Sequence, residues 1–422
     1  LNGRARAPRS SAAPAKQARE EAVRGLYVHV PFCARRCHYC DFATGAISSA
    51  AVERYLGALE RESACRAPAA QGATFTSVFF GGGTPSMLGP RHFARLMGAV
   101  RHHFAIAADA EITLEANPES VRPALLDAWS AGGVNRLSMG AQSFDAEELV
   151  RLGRIHGPER PAEALALARS HGFRRLSVDL MFGFPKHDLA RWQATLDAAI
   201  GLGVEHLSAY CFIPEGDTPL GAAVLGGREA VVDPDGQADL YQALIDRTTR
   251  AGFACYETSN FTRSGGECRH NLVYWLRREY LALGPSAHGL WQGERYANHR
   301  DLGAWADALE RGLPRATVES ESEVSRSDEI VMLGLRLGCG VRREDHGPEV
   351  WDAVIARYGS ALARAARTGR LMVSPSGFRI AARHRFVADD VIAWLMAEAE
   401  RDGRPSAAGR RTVEHASGLA MS

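Results

Sequence analysis

Cys33, Cys37 and Cys40 stand within eight residues in the run Tyr-Val-His-Val-Pro-Phe-Cys-Ala-Arg-Arg-Cys-His-Tyr-Cys-Asp-Phe at 27–42. Three thiolates so spaced can each hold one iron of a [4Fe–4S] cube and leave the fourth iron open, whereas an electron-transfer cluster usually takes four cysteines. A cluster with an unclaimed iron can bind a small chelating molecule. Two plainer readings compete. Isolated cysteines are most often buried small hydrophobes, but a Pro-flanked loop with two arginines is not core sequence. A structural zinc site wants four ligands, typically as paired half-sites. His38 could add one donor, yet no second Cys/His pair follows at zinc-finger spacing.

Other residues sit where strands should end. Gly81-Gly82-Gly83-Thr84-Pro85-Ser86 follows a β-rich run, and its glycines let backbone approach a ligand closely. No Gly-Lys-Ser/Thr follows, so it is not a nucleotide-binding Walker loop. Glu115 precedes Ala116-Asn117-Pro118; Gln142, Arg154 and Asp179 lie at or just past later strand ends. Each alone is ordinary: a solvated acid, an amide in a turn, a surface arginine. His270-Asn271-Leu272-Val273-Tyr274-Trp275 is the second notable run. Histidine is a frequent heme-iron ligand, and a Tyr/Trp pair offers flat apolar surface for a macrocycle. Spacing alone equally fits a buried His/Asn hydrogen-bonding pair beside two core aromatics. Cys268 is a thiolate rival to His270, with a structural role the plainer reading.

The elements that must position these residues alternate. The patterning predicts strands at Gly25–Val30, 76–80, 111–115, 134–139, 175–180 and 206–212. Helices are predicted near 50–64, 90–103, 120–131, 145–151, 160–171 and 187–202, with glycines at 132–133, 172 and 203 as stops. Such alternation argues for βαβ units and a parallel sheet. A doubly wound open sheet is the competing architecture. A partial (β/α)6 barrel is favoured because the notable residues cluster at the C-terminal strand ends, where βα loops build a barrel's site.

Beyond 305 the texture changes. Polar residues at 320–327 read as a linker or helix start, followed by helical runs at 327–338, 347–367 and 386–402 and a two-strand segment at 371–380. The expected divisions are a disordered tail at 1–23, the barrel at 24–305, a small α+β accessory domain at 306–400 and a flexible tail at 401–422. The 422 residues carry 50 basic and 49 acidic side chains, which gives no global electrostatic reason to bind nucleic acid. Eight cysteines in this length make no disulfide scaffold, and three spaced for metal argue for a reducing compartment. No apolar run approaches the ~20 residues of a membrane span, so a cytoplasmic location without a transmembrane segment is expected.

The cysteine triad followed by the Gly-rich strand system resembles the radical S-adenosylmethionine (radical SAM) superfamily. The flanking Tyr-Val-His-Val-Pro-Phe and Asp-Phe are similar to the branch containing oxygen-independent coproporphyrinogen III oxidase and the HemW heme chaperones. The resemblance spans about 24–395. It implies a [4Fe–4S] cluster on Cys33, Cys37 and Cys40, with SAM chelating the open iron. It further implies SAM contacts from Tyr27, Tyr39, Gly82, Gly83, Thr84, Glu115, Gln142, Arg154, Asp179 and the strand end at Ile213, and a winged-helix-like accessory domain.

His-Asn-x-x-Tyr-Trp resembles the heme-associated signature of the chaperones, which implies heme contact by His270, with Tyr274 and Trp275 packing beside it. The oxidase branch carries a further cysteine two positions after the third; here that position is Phe42. The oxidase also has a longer N-terminal segment before the position of Tyr27. Both differences favour a heme chaperone that serves recipient hemoproteins over an enzyme that decarboxylates coproporphyrinogen III. An electron donor such as a flavodoxin or ferredoxin is implied if SAM is cleaved.

Overall fold

The computed structural model describes residues 23–402 except 264, 313, 314 and 321. The expected tails at 1–22 and 403–422 lie outside the described residues. Six parallel strands carry the fold: β1 (Gly25–Val30), β2 (Thr74–Gly82), β3 (Ala105–Ala116), β4 (Arg136–Gln142), β5 (Arg175–Phe182) and β6 (His206–Cys211). Between them run α1 (Ser49–Arg66), α2 (Pro90–His103), α3 (Pro123–Ala131), α4 (Ala146–Leu152), α5 (Arg160–Ser170) and α6 (Leu189–Gly201). The helices begin where the sequence offers caps. Ser48, Asp145 and Asp188 accept backbone N–H groups at the starts of α1, α4 and α6, and prolines open α2 and α3. The helix expected from 120 therefore starts at Pro123.

The six strands neighbour one another in sequence order. A doubly wound sheet reverses its order at a switch point; this one does not, which is the winding of a barrel. The sheet nevertheless stays open. Beyond β6 come α7 (Pro219–Leu225) and α8 (Pro234–Arg250), then two short antiparallel strands, β7 (Ala254–Cys255) and β8 (Asn260–Thr262). Helix α9 (Arg269–Trp275) precedes β9 (Tyr280–Leu283), which returns to pair in parallel with β1 on its free side. Strands β10 (His288–Trp291), β11 (Glu294–Asn298) and β12 (Arg315–Ser320) extend that edge antiparallel, making twelve strands in one sheet.

One face of each parallel strand packs under the helices with Val28, Val78, Phe80, Ile112, Leu114, Leu137, Val178 and Leu207. The alternate residues are largely polar: Tyr27 and His29, Ser77, Glu111 and Glu115, Arg136 and Ser138, Ser177 and Asp179, His206 and Ser208. They bond to one another across the concave side, Ser138 Oγ to Asp179 at 2.9 Å and Ser177 Oγ with His206 Nδ1 at 2.7 Å. Buried parallel strands normally read as continuous apolar runs. A polar alternate face marks a lined interior.

The boundary expected at 305/306 is corrected. Helix α10 (Leu302–Glu310) spans it, and its Trp305, Ala306 and Leu309 belong to the main core. Strand β12 still belongs to the main sheet. A separate apolar cluster begins at Ile330 in α11 (Glu323–Gly334) and continues through α12 (Pro348–Arg367), the hairpin at Leu371–Ser374 and Gly377–Ile380, and α13 (Ala388–Arg401). The polar run at 320–327 is a helix start: Ser322 and Ser325 form a reciprocal cap. Among the described residues no helix is long and apolar enough to cross a membrane.

Glu62 fastens the two ends of the main sheet's return. Its carboxylate accepts from Arg66 at 3.1 Å, Asn298 Nδ2 at 2.7 Å, the Gly284 N–H at 2.7 Å and Trp305 Nε1 at 3.3 Å, with none of it exposed. Removing one member of a buried charge pair strands the other. Glu62→Ala is therefore expected to destabilise the protein by about 3–5 kcal/mol in urea unfolding, and Glu62→Gln by less; an unchanged midpoint for both would contradict this role.

Candidate functional site

The three cysteines sit on the loop leaving β1, at the C-terminal mouth of the sheet. Its short extended piece Phe32–Cys33 pairs with Gly45–Ala46, and the Gly45 N–H donates to Pro31 O at 2.7 Å. Between the second and third cysteines the loop is tied to α4 and α7. The His38 N–H donates to Leu152 O at 3.0 Å, its Nδ1 lies 2.9 Å from Arg151 O, and the Leu220 N–H donates to His38 O at 2.8 Å. His38, the extra donor considered for zinc, thus serves a helix C-terminus. All three thiols are free and half-buried. Burial raises the pKa of Cys33 and pushes Cys40 up to about 12. Among the described residues no three His, Cys, Asp or Glu side chains converge on one ion. A cube does not ask for that, because each thiolate takes a different iron.

The glycine loop runs beside this segment. The Gly83 N–H donates to Val30 O at 2.9 Å and the Thr84 N–H to Phe32 O at 2.7 Å, while Thr84 Oγ1 lies 3.3 Å from Cys33 Sγ. Gly82 has φ +105°, and a β-carbon there would stand 2.4 Å from the His29 ring; one at Gly83 would stand 2.8 Å from Phe32 and Val30 backbone. No side chain fits at either position.

Arg154 joins the cluster loop to the strand ends. Its Nη1 donates to Cys37 Sγ at 3.3 Å, and Nη2 donates to Asn117 Oδ1 and Gly140 O, each at 2.7 Å. Asn117 Nδ2 in turn donates to Thr84 Oγ1 at 3.2 Å. The Arg154 Nε–H is buried without a partner. A buried charged donor left open beside a cysteine loop and a side-chain-free backbone cradle suits an anionic ligand group. Glu115 receives the Gly82 N–H at 3.2 Å; burial, then the neighbouring Asp179 carboxyl, pushes it up to about 8. A carboxyl so starved of solvation suits a cationic or hydroxyl-bearing ligand. Asp179, also raised by burial, is held by Ser138. Gln142 closes β4 at φ +68° where the register shifts. These residues therefore fit a zwitterionic amino-acid ligand beside a cluster.

Tyr27 and His29 project from one face of β1, with Tyr27 Oη 3.0 Å from His29 Nδ1 and His29 Nε2 3.0 Å from Ala43 O. Burial takes His29 down to about 4, so it is neutral and braces the loop's exit. Neither His29 nor Asn117 was singled out by spacing. The i, i+2 relation of His29 to Tyr27 was the available signal. Tyr39 packs with Leu152, Met181, Phe184, Phe212 and Leu220. Ile213 lies just past β6 and is 47% exposed.

His270, Tyr274 and Trp275 lie elsewhere. His270 meets β2 at Ser77, five residues before Gly82, or about 16 Å at the usual strand rise. It is wholly buried. The segment around it plugs the lower end of the interior: Cys268 Sγ donates to Glu111 Oε1 at 3.4 Å, and Tyr256 Oη lies 2.9 Å from His206 Nε2. Burial pushes the Cys268 thiol up to about 12, and its bond to Glu111 places it in the core. Both His270 ring nitrogens have hydroxyl partners, Ser77 Oγ at Nδ1 and Tyr274 Oη at Nε2.

The comparisons with known proteins follow the same geometry. The radical SAM superfamily profile matches residues 27–199. A "Heme chaperone HemW" from Mycobacterium tuberculosis (strain CDC 1551 / Oshkosh) is 38% identical over 363 residues, covering 82% of this chain and 92% of that one. One from Escherichia coli (strain K12) is 39% identical over 63% of this chain and 69% of its own length. Among solved structures, coproporphyrinogen III oxidase (HemN) from Escherichia coli, titled a radical SAM enzyme, superposes with a TM-score of 0.77 at 25% identity, over 92% of this chain and 94% of that one.

Folding raises Glu115 above the usual 4.5, so between pH 4.5 and about 8 the unfolded chain sheds a proton that the folded one keeps. Its contribution to stability is whole below pH 4.5 and is lost as pH climbs, by at most ~1.4 kcal/mol per pH unit. The ligand-free Glu115→Gln protein should therefore gain on the wild type across that window in urea midpoints; parallel pH profiles would contradict the burial of this carboxyl.

Proposed function

The chain belongs to the HemW heme chaperone family within the radical SAM superfamily, and we propose that it binds heme and delivers it to recipient hemoproteins. The observation that carries this is the 38% identity to a HemW chaperone across 92% of that protein's length. It joins a site whose donors suit the family's two cofactors. Cys33, Cys37 and Cys40 would hold three irons of a [4Fe–4S] cluster. Gly82, Gly83, Thr84, Glu115 and Arg154 would receive the methionine end of SAM, and Tyr27, Tyr39, Gln142, Asp179 and Ile213 the remainder. Bound together, cluster and SAM supply one-electron chemistry that side chains lack. The chain's part is to hold and orient them: Arg154 fixes Cys37 against the strand ends, and Tyr39 anchors the loop among apolar side chains. Tyr274 and Trp275 would offer the macrocycle its flat apolar contact. A cytoplasmic site of action, and an electron donor such as a flavodoxin or ferredoxin if SAM is cleaved, complete this reading.

Likeness to coproporphyrinogen III oxidase over nearly the whole chain supports a second reading, oxidative decarboxylation of a porphyrinogen. Phe42, in place of that branch's extra cysteine, ranks it lower. One anaerobic preparation with reconstituted cluster separates the two. The chaperone reading predicts a stoichiometric Soret complex with added heme, transfer of that heme to a heme-depleted apoprotein, and no protoporphyrinogen from coproporphyrinogen plus SAM. Turnover of coproporphyrinogen without stable heme binding would reverse the order.

A further inference from the structure

Two of the three loop cysteines are joined by an unbroken run of side-chain hydrogen bonds, with the amide of Asn117 at its centre. Cys33 Sγ lies 3.3 Å from Thr84 Oγ1, and Asn117 Nδ2 donates to that same oxygen at 3.2 Å. On the other side Arg154 Nη2 donates to Asn117 Oδ1 at 2.7 Å, and Arg154 Nη1 to Cys37 Sγ at 3.3 Å. The donor types fix the direction of each bond. A guanidinium only donates, so the Asn117 atom facing it is the carbonyl oxygen and the NH2 is turned to Thr84. That NH2 takes a lone pair of the Thr84 hydroxyl and leaves the hydroxyl proton for Cys33. A thiolate on iron carries no proton, so both sulfurs can only accept.

Asn117 is itself held. Its N–H donates to Ser86 Oγ at 3.2 Å and its carbonyl accepts from Ser120 Oγ at 2.6 Å. Pro118 confines its backbone to the extended region it adopts, φ −87° and ψ 142°. Thr84 is buried, and a β-carbon on Gly140 would stand 3.4 Å from Asn117 Oδ1. Cys33 has a further hydroxyl neighbour in Thr44, whereas Cys40 lies outside this network and is bonded to the backbone at Phe42. Hydrogen bonds donated to cluster thiolates stabilise the more negative, reduced cluster more than the oxidised one, and so raise its potential.

We propose that Asn117 is a positioning residue that raises the reduction potential of the cluster: through Thr84 it aims a donor at Cys33, and through Arg154 a donor at Cys37. This rests on the reading of Cys33, Cys37 and Cys40 as cluster ligands. The test reconstitutes the full chain anaerobically and measures the one-electron midpoint potential, from electron paramagnetic resonance of samples poised with titanium(III) citrate. SAM is left out, because Thr84 and Arg154 are assigned to receive it. Iron and sulfide content is checked for each protein, which separates cluster loss from a changed potential.

Asn117→Leu removes both ends of the bridge at similar volume. Its reduced-to-oxidised ratio at the wild-type midpoint should fall about tenfold, a lowering of about 59 mV for one electron. Asn117→Asp keeps an acceptor for Arg154 but draws the Thr84 proton to itself, so its potential should fall as well. Thr84→Val removes only the donor to Cys33 and should give part of the shift. Added to Asn117→Leu it should contribute less than it does alone, because both act on one bond. Unmoved potentials in Asn117→Leu and Asn117→Asp at full cluster content would overturn the assignment by making Asn117 structural only, and so would full additivity with Thr84→Val. Where neither Asn117 variant assembles a cluster, Thr84→Val decides, and an unmoved potential there overturns it too. A wild type that forms no [4Fe–4S] cluster would instead overturn the reading of the three cysteines, and this assignment with it.

Discussion

Burial of charge inside an open parallel sheet is the constraint on which the rest of this protein depends. The alternate face of six strands carries carboxyls, guanidinium groups, hydroxyls and imidazoles that must find one another or a ligand. At the lower end they pair for the most part. Glu111 forms an ion pair with Arg175 at 3.0 Å and receives the His270 N–H at 3.2 Å, and Arg136 donates to Gly266 O at 3.0 Å, while Glu111 Oε2 and Arg136 Nη2 keep no hydrogen-bond partner. At the upper end charge is left open as well. Glu115 holds its proton up to about 8, and the Arg154 Nε–H has no acceptor. The same architecture thus yields a floor plugged by the segment around Cys268 and a mouth lined by loops. The cysteine loop hangs over the mouth.

That polarity explains why the two motifs of the chain are not two halves of one site. The cysteine, glycine, Glu115 and Arg154 segments converge because each follows a strand and so falls at the same end of the sheet. Helix α9 precedes β9, so its start lies at the opposite end. It seals the floor with Cys268 and His270 and presents Trp275 to the second apolar unit. Glu329 of α11, bonded to Arg277 at 2.7 Å and to Arg295, fastens that unit to the same place.

Much of this was legible in the residues. The six strand–helix alternations appear in order, β1 with the same limits, because apolar runs punctuated by glycine and caps are local signals. The cysteine triad suggests its chemistry by type and spacing, whereas the Gly-Gly-Gly-Thr loop takes its role from the family resemblance. What was not legible depends on solvent and on distant partners. Spacing cannot say that His270 lies under Phe79 with both nitrogens engaged, nor that Asn117 joins Thr84 to Arg154. The late boundary was hidden for a similar reason: Trp305 looks like any helical tryptophan until Glu62 is found beside it. Strands β10 to β12 extend the sheet by antiparallel pairing, which the βαβ pattern does not announce.

The central claim is that Cys33, Cys37 and Cys40 hold a cluster with one iron left for SAM at the mouth of the sheet. Electron paramagnetic resonance of the reduced, reconstituted protein, recorded with and without SAM, addresses it most directly. The account predicts a [4Fe–4S] signal whose g-values shift when SAM is added, and no such signal once the three cysteines are replaced by serine. A cluster signal indifferent to SAM, or one that survives loss of the three thiols, would contradict it.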